Sequence, residues 1–163
     1  MVYNWLKLIS NKYRIQTHAF VVMPNHVHII IKTPDARADL NKVIGNGKRF
    51  MAYELVERLK SLSNLKVLDQ LASACTDKEK TKGQIHKVFE PSFDAKPVFT
   101  TAFLYQKLDY IHYNPVRGKW NLCADFTEYQ HSSAAFYYLE QPHEFVVITD
   151  YRDFWVDTDL LLP

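Results

Sequence analysis

The sequence predicts an α+β fold in a single domain, residues 1–163, and three observations carry that reading. Apolar residues recur at helical intervals over 3–13, over about 39–62 and over 100–113. Two runs rich in β-branched and aromatic residues, 15–23 and 26–32, are separated only by Pro24-Asn25. Across 163 residues, 47% hydrophobic and 14% aromatic content suffices for a core, and no repeat or low-complexity linker interrupts the chain.

Each element follows from its local pattern. Tyr3, Leu6 and Ile9 share a helical face, and the polar cluster Ser10-Asn11-Lys12 ends it. Ile15 to Met23 is strand-like and stops at Pro24-Asn25; His26 to Lys32 resumes the same character up to Thr33-Pro34-Asp35, which predicts two strands joined by a tight turn. From Asp39 to about Leu62, Leu40, Val43, Ile44, Met51, Leu55 and Leu59 recur at helical spacing, with Lys42, Lys48, Arg49, Arg58 and Lys60 on the polar face. Gly45-Asn46-Gly47 is expected to weaken or bend the start of that helix. Residues 63–84 are polar and lysine-rich after Leu71, and within them Thr76 to Gly83 resembles an exposed loop. Ile85 to Phe89 alternates as a strand and is broken by Glu90-Pro91-Ser92, and Thr100 to Tyr113 forms a helix that Pro115 terminates. Between Asp125 and Leu162, a short helix is expected near Ser132–Leu139 and a β-like stretch at Phe145–Ile148.

Composition excludes several classes. Cys75 and Cys123 are too far apart in sequence for a Cys-x-x-Cys site and too few for a disulfide framework, which suits a reducing compartment. The chain has no apolar run long enough to span a membrane, and its start has no signal-peptide character, so a cytoplasmic location is the default expectation. The net charge of +2 argues against a binder that holds nucleic acid by bulk charge. That average conceals an asymmetry: residues 1–70 carry net +6, whereas residues 71–163 carry net −4. The positive half nominates a phosphate-facing surface or simply solvated lysine-rich helices.

Two clusters carry chemistry. In His26-Val27-His28, strand alternation projects both imidazoles to one side and sends Val27 toward the core. Two neutral imidazoles form a half-site for a divalent metal or a phosphate, or else two half-buried histidines bonded to backbone. A third histidine two positions on would signal a nucleotide hydrolase, but Ile30 stands there, and the His-Glu-x-x-His, P-loop and Gly-x-Ser-x-Gly patterns are absent. The second cluster is Leu108-Asp109-Tyr110-Ile111-His112-Tyr113-Asn114-Pro115-Val116-Arg117, in which Tyr110 and Asn114 share a helix face at i and i+4. An amphipathic core tyrosine followed by an Asn-Pro helix stop is the plainer account of the same residues.

Taken in order, Val21-Val22-Met23-Pro24-Asn25-His26-Val27-His28-Ile29-Ile30, the tyrosine segment, and Tyr129-Gln130-His131-Ser132-Ser133-Ala134 resemble the insertion-sequence-200-like single-tyrosine HUH transposases, in particular the REP-associated tyrosine transposase branch. The resemblance covers roughly 1–138 and leaves 139–163 as a C-terminal extension. It implies a ferredoxin-like or RRM-like antiparallel sheet with helices on one face. By match of motifs it makes Tyr110 the nucleophile and His26, His28 and Asn114 the ligands of Mg²⁺ or Mn²⁺. The implied activity is DNA transposition: cleavage and rejoining of single-stranded or hairpin DNA through a 5′-phosphotyrosine. Lys42, Lys48, Arg49, Arg117 and Lys119 are the candidate DNA contacts.

Tyr105 and Tyr113 are rival nucleophiles without a matched ligand, and His18, His86, His112, His131 and His143 match no ligand position. A homodimer and a monomer are both compatible with the resemblance. Two other classes stay open: a DNA-hairpin binding protein that has lost catalysis, and a metal-dependent phosphodiesterase that uses water. Relatives place a further strand before the first helix, so the resemblance implies that one strand is missing beside His26–His28, leaving an exposed edge.

Overall fold

The structure is a computed structural model in which residues 1–34, 39–90 and 94–155 are described. It is α+β. In chain order its elements are α1 (Val2–Tyr13), β1 (Gln16–Val22), β2 (Val27–Lys32), α2 (Leu40–Ser61), α3 (Leu65–Ser73), α4 (Asp77–Lys80), α5 (Thr101–Tyr113) and α6 (Ala134–Leu139). The described residues form two compact units, one from 2–34 and 96–155, the other from 39–90 and 94–95 with Met1.

The first unit is organised on the β1–β2 hairpin, an antiparallel pair in which Val21 faces His28 and Ala19 faces Ile30. Partners directly opposite one another share a sheet face. That face is covered by α5: Ala19, Val21 and Met23 pack against Leu104, Leu108 and Ile111. Alternation sends Phe20 to the other side, where its buried ring meets Tyr3 of α1 edge-on at 6.3 Å. Thr100 caps α5 by accepting the Phe103 N–H, and the turn Asn114–Val116, with Pro115 inside it, ends the helix as expected.

The outer edge of β1 is not open. His131 O accepts the Val22 N–H at 2.8 Å, Phe20 O accepts the Ser133 N–H at 2.9 Å, and Thr17 O accepts the Thr149 N–H at 2.9 Å. Residues 131–133 therefore stand where a third strand would run. The outer edge of β2 has no backbone partner among the described residues.

In the second unit, α2 begins at Asp39, whose carboxylate accepts the Lys42 N–H at 3.0 Å. It continues through Gly45-Asn46-Gly47 without interruption, contrary to expectation. Each glycine costs a helix roughly 1 kcal/mol, which a 22-residue element absorbs.

Several other expectations are corrected. The stretch 76–83 is not simply a loop, since Thr76 with Glu79 forms a capping box that starts α4; ahead of it Asn64 caps α3. Leu65, Leu68 and Leu71 behind an Asn cap, and Thr-x-x-Glu at 76–79, were the available signals. Ile85–Phe89 forms no strand; Lys87 makes a single backbone bond, to Leu71 O, and a strand requires a ladder. Phe145–Ile148 likewise forms no ladder: Phe145 stacks on Tyr3 at 5.3 Å and Val146 is buried, so packing rather than pairing accounts for its apolar run. Pro91-Ser92, the Asp35 end of the hairpin and residues 156–163 lie outside the described residues. No helix among the described residues is long and apolar enough to cross a membrane.

Candidate active site

Hairpin geometry brings the two histidines together. β2 begins at Val27, so His26 lies just ahead of the strand rather than inside it. The rings of His26 and His28 nevertheless share a face, with centroids 4.8 Å apart. Val27 points to the opposite side, as alternation requires, but is 37% exposed and not in the core. It stands across from Val22 at the turn end of the hairpin, and α5 covers the histidine face rather than Val27's.

The helix supplies the tyrosine. Leu104, Leu108 and Ile111 seat α5 on the sheet, and the face they leave turned along β2 carries Tyr110. The Tyr110 ring meets His28 edge-on at 4.9 Å while remaining about half exposed. Four residues on, Asn114 is buried, and its side chain lies in hydrogen-bonding reach of His26. His26, His28, Tyr110 and Asn114, far apart in sequence, thus form one cluster.

The rival tyrosines are engaged elsewhere: Tyr113 packs on Phe126 at 4.1 Å and Tyr105 faces Tyr151 at 6.4 Å.

Both imidazoles are held below the ordinary histidine range. For His26 the main cause is burial, opposed by the bond to Asn114 and reinforced by Lys119. For His28 it is again burial, with added repulsion from His26 and Lys107. Neutral rings are the ligand form. His26 Nδ1 lies 2.5 Å from Asn25 Oδ1, a contact that orients the ring; the tautomer in which Nδ1 donates to that oxygen is the one that leaves Nε2 for a ligand. His28 Nε2 is buried with no hydrogen-bond partner. An orphaned imidazole nitrogen beside a second imidazole and an amide fits a divalent cation, the group the motif implies. No cluster of three or more His, Cys, Asp or Glu suited to a metal occurs among the described residues, so a cation here depends on two imidazoles and Asn114.

The remaining candidates divide. Lys119 follows Gly118, whose φ of +63° turns the chain back, and its charge reaches His26. Its ammonium lies 5.2 Å from the Trp120 ring, which is itself 6.0 Å from His26. Arg117 instead sits over Tyr113 at 4.8 Å. Lys42, Lys48 and Arg49 are on α2 in the other unit, where Lys48 donates to Glu90 O at 3.1 Å and Arg49 lies over Phe50 at 5.1 Å.

The sequence reading passed over three supports. Tyr129 donates to Val22 O at 2.9 Å and braces the end of β1. His112, buried on α5, places Nε2 2.9 Å from Ser133 Oγ, which accepts the Phe20 N–H at 2.9 Å and so ties the tyrosine helix to the sheet. Lys107, one turn before Tyr110, lies within the field of His28. The Tyr-x-x-Ser-Ser segment signalled the first two; nothing but i to i+3 spacing signalled Lys107.

Compared with known proteins, residues 1–71 match the family described as Transposase IS200 like. The match spans α1, β1, β2 and α2 and includes both histidines; it is less than half of the chain and ends before α5. It supports DNA transposase activity in general terms. No curated protein and no solved structure matches the chain significantly.

Proposed function

We propose, starting from this likeness to IS200-like transposases, that the chain cleaves and rejoins single-stranded DNA through a 5′-phosphotyrosine on Tyr110. The sites would contain hairpins, as for the REP-associated branch of single-tyrosine HUH enzymes. His26, His28 and Asn114 would hold Mg²⁺ or Mn²⁺. The observation that carries this reading is the convergence of a half-exposed tyrosine, two neutral imidazoles and a buried amide on one sheet face. Lys119 acts on His26, and Lys107 acts on His28 together with His26 itself; every one of these charges is positive, which suits an anionic ligand such as a phosphodiester.

In the forward step Tyr110 Oη attacks phosphorus in line. The Oη–P bond forms as the P–O3′ bond breaks; the phenol proton passes to solvent, and the departing 3′ oxygen takes one up. One phosphodiester replaces another, so no nucleotide cofactor is required. Attack by the 3′-OH of another strand reverses the exchange and frees the phenol. A bound divalent cation would offset negative charge on the phosphoryl oxygens during transfer. The chain's own residues do the positioning: α5 presents the Tyr110 ring beside His28, and Asn25 orients the His26 ring. Tyr110 meets His28 of its own chain, which supports attack in cis.

The test uses end-labelled oligonucleotides in which a hairpin is flanked by randomised single-stranded nucleotides, incubated with Mg²⁺ or Mn²⁺. A denaturation-resistant protein–DNA adduct is expected, and Tyr110→Phe should abolish it. Cleavage that persists in Tyr110→Phe without an adduct would identify a water-using phosphodiesterase. Hairpin binding without cleavage would identify a binding protein.

A further inference from the structure

Lys107 stands on the same helical face as Tyr110, three residues earlier. Its stem is partly buried, and its ammonium lies 4.9 Å from the Phe103 ring centre and 5.8 Å from that of Tyr110. On the other side its charge reaches His28, whose ring touches Tyr110. It has no ion-pair partner among the described residues, whereas Lys60, Lys87, Arg58 and Arg152 all have carboxylates. Contacts with the faces of Phe103 and Tyr110 hold the ammonium beside the nucleophile without committing it to a carboxylate. It is well placed for charge that arrives with a substrate.

We infer that Lys107 is a catalytic residue of this site, contacting the phosphate that Tyr110 attacks and stabilising the negative charge that builds up as one P–O bond forms and the other breaks. The inference rests on the reading of Tyr110 as nucleophile and adds a cation beside the tyrosine to the ligand set of His26, His28 and Asn114. Lys107 exchanges no proton in this scheme. In rejoining, the same charge stabilises the departing tyrosine oxygen. The flexible lysine stem lets the ammonium follow the phosphate, and Phe103 limits how far it wanders.

The experiment measures the single-turnover rate of adduct formation at saturating oligonucleotide, and DNA affinity separately, for the full chain. The same hairpin library with randomised flanks and Mn²⁺ serves as probe. Lys107→Met keeps the apolar stem and removes the charge; Lys107→Arg keeps the charge; Lys7→Ala, at an exposed position of α1, controls for net charge. Lys107→Met should slow the chemical step by roughly 10²-fold, the scale for removing one preorganised electrostatic group. Its affinity should fall far less, by the few-fold expected of one phosphate contact. Lys107→Arg should recover much of the rate, and Lys7→Ala should match the parent chain. Equal rates for Lys107→Met and the parent would overturn the inference while leaving Tyr110's role standing. So would a loss confined to affinity, which would make Lys107 a binding cation only. Failure of the parent chain to form any adduct would overturn both. Thermal melts followed by tryptophan fluorescence identify any variant whose loss reflects unfolding.

Discussion

Replacing Ser133 by alanine tests whether the buried bridge between α5 and β1 holds the site together. Ser133 is fully buried, and its hydroxyl is the partner of both the Phe20 N–H and His112 Nε2. Phe20 turns its N–H and C=O toward residue 133 and away from β2, so β2 cannot replace the lost partner. His112 is 1% exposed and its Nδ1 is already unpartnered, so losing the bond to Nε2 leaves the whole ring unsatisfied. With about 1–3 kcal/mol for each buried polar group left unpaired, Ser133→Ala should cost roughly 2–4 kcal/mol. In a chain of this size that lowers Tm by roughly 5–15 °C. Trp5, Trp120 and Trp155 all belong to the unit that contains β1 and α5, so urea titration followed by tryptophan fluorescence reads the relevant unfolding. Ser132→Ala is the comparison: its hydroxyl makes a local bond to the Ala134 N–H at 3.1 Å, and its loss should cost about 1 kcal/mol. Should Ser133→Ala prove no more destabilising than Ser132→Ala, the bridge is not what fixes α5 to the sheet.

Two pH predictions follow from the same environment. Burial lowers the His112 pKa to about 4, below the ordinary value of 6.5, so the unfolded chain binds a proton that the folded one refuses. Stability should therefore fall as pH drops from about 6.5 toward 4, by up to about 3 kcal/mol, and be indifferent to this group above that window. Urea titrations across the range should show the slope, and His112→Gln should flatten it; an unchanged slope would mean that other groups set the acid limit. Separately, Lys107→Met should raise the His28 pKa toward the ordinary value, because a repelling cation is removed. An NMR titration of the metal-free protein checks this without any turnover, and an unmoved His28 would place Lys107 too far away to act.

Much of the fold was legible because its signals are local. Helical spacing marked α1, α2 and α5, and Pro24-Asn25 between two β-branched runs marked the hairpin. The strand misreadings at 85–89 and 145–148 share a cause: alternation describes a surface, whereas a strand exists only where another backbone completes its hydrogen bonds. Val27 is the same lesson within a correct element, since alternation assigned its side of the sheet but could not say that its side would be left uncovered.

The sequence by itself determined the ingredients of the site and their local directions. Two imidazoles two residues apart share a strand face, and a tyrosine and an asparagine four residues apart share a helix face; backbone geometry imposes both relations wherever those elements form. Only the tertiary structure decided that the two faces meet. Placing Tyr110 4.9 Å from His28 depends on Leu104, Leu108 and Ile111 seating α5 on Ala19 and Val21. It also depends on Ser133 and His112 tying that helix to β1. The contacts that reach the hairpin join residues roughly 80 to 113 positions apart, and no local propensity encodes them. The same long-range packing desolvates both histidines and orphans His28 Nε2. It also brings Lys107, otherwise one lysine among many, to the side of the tyrosine.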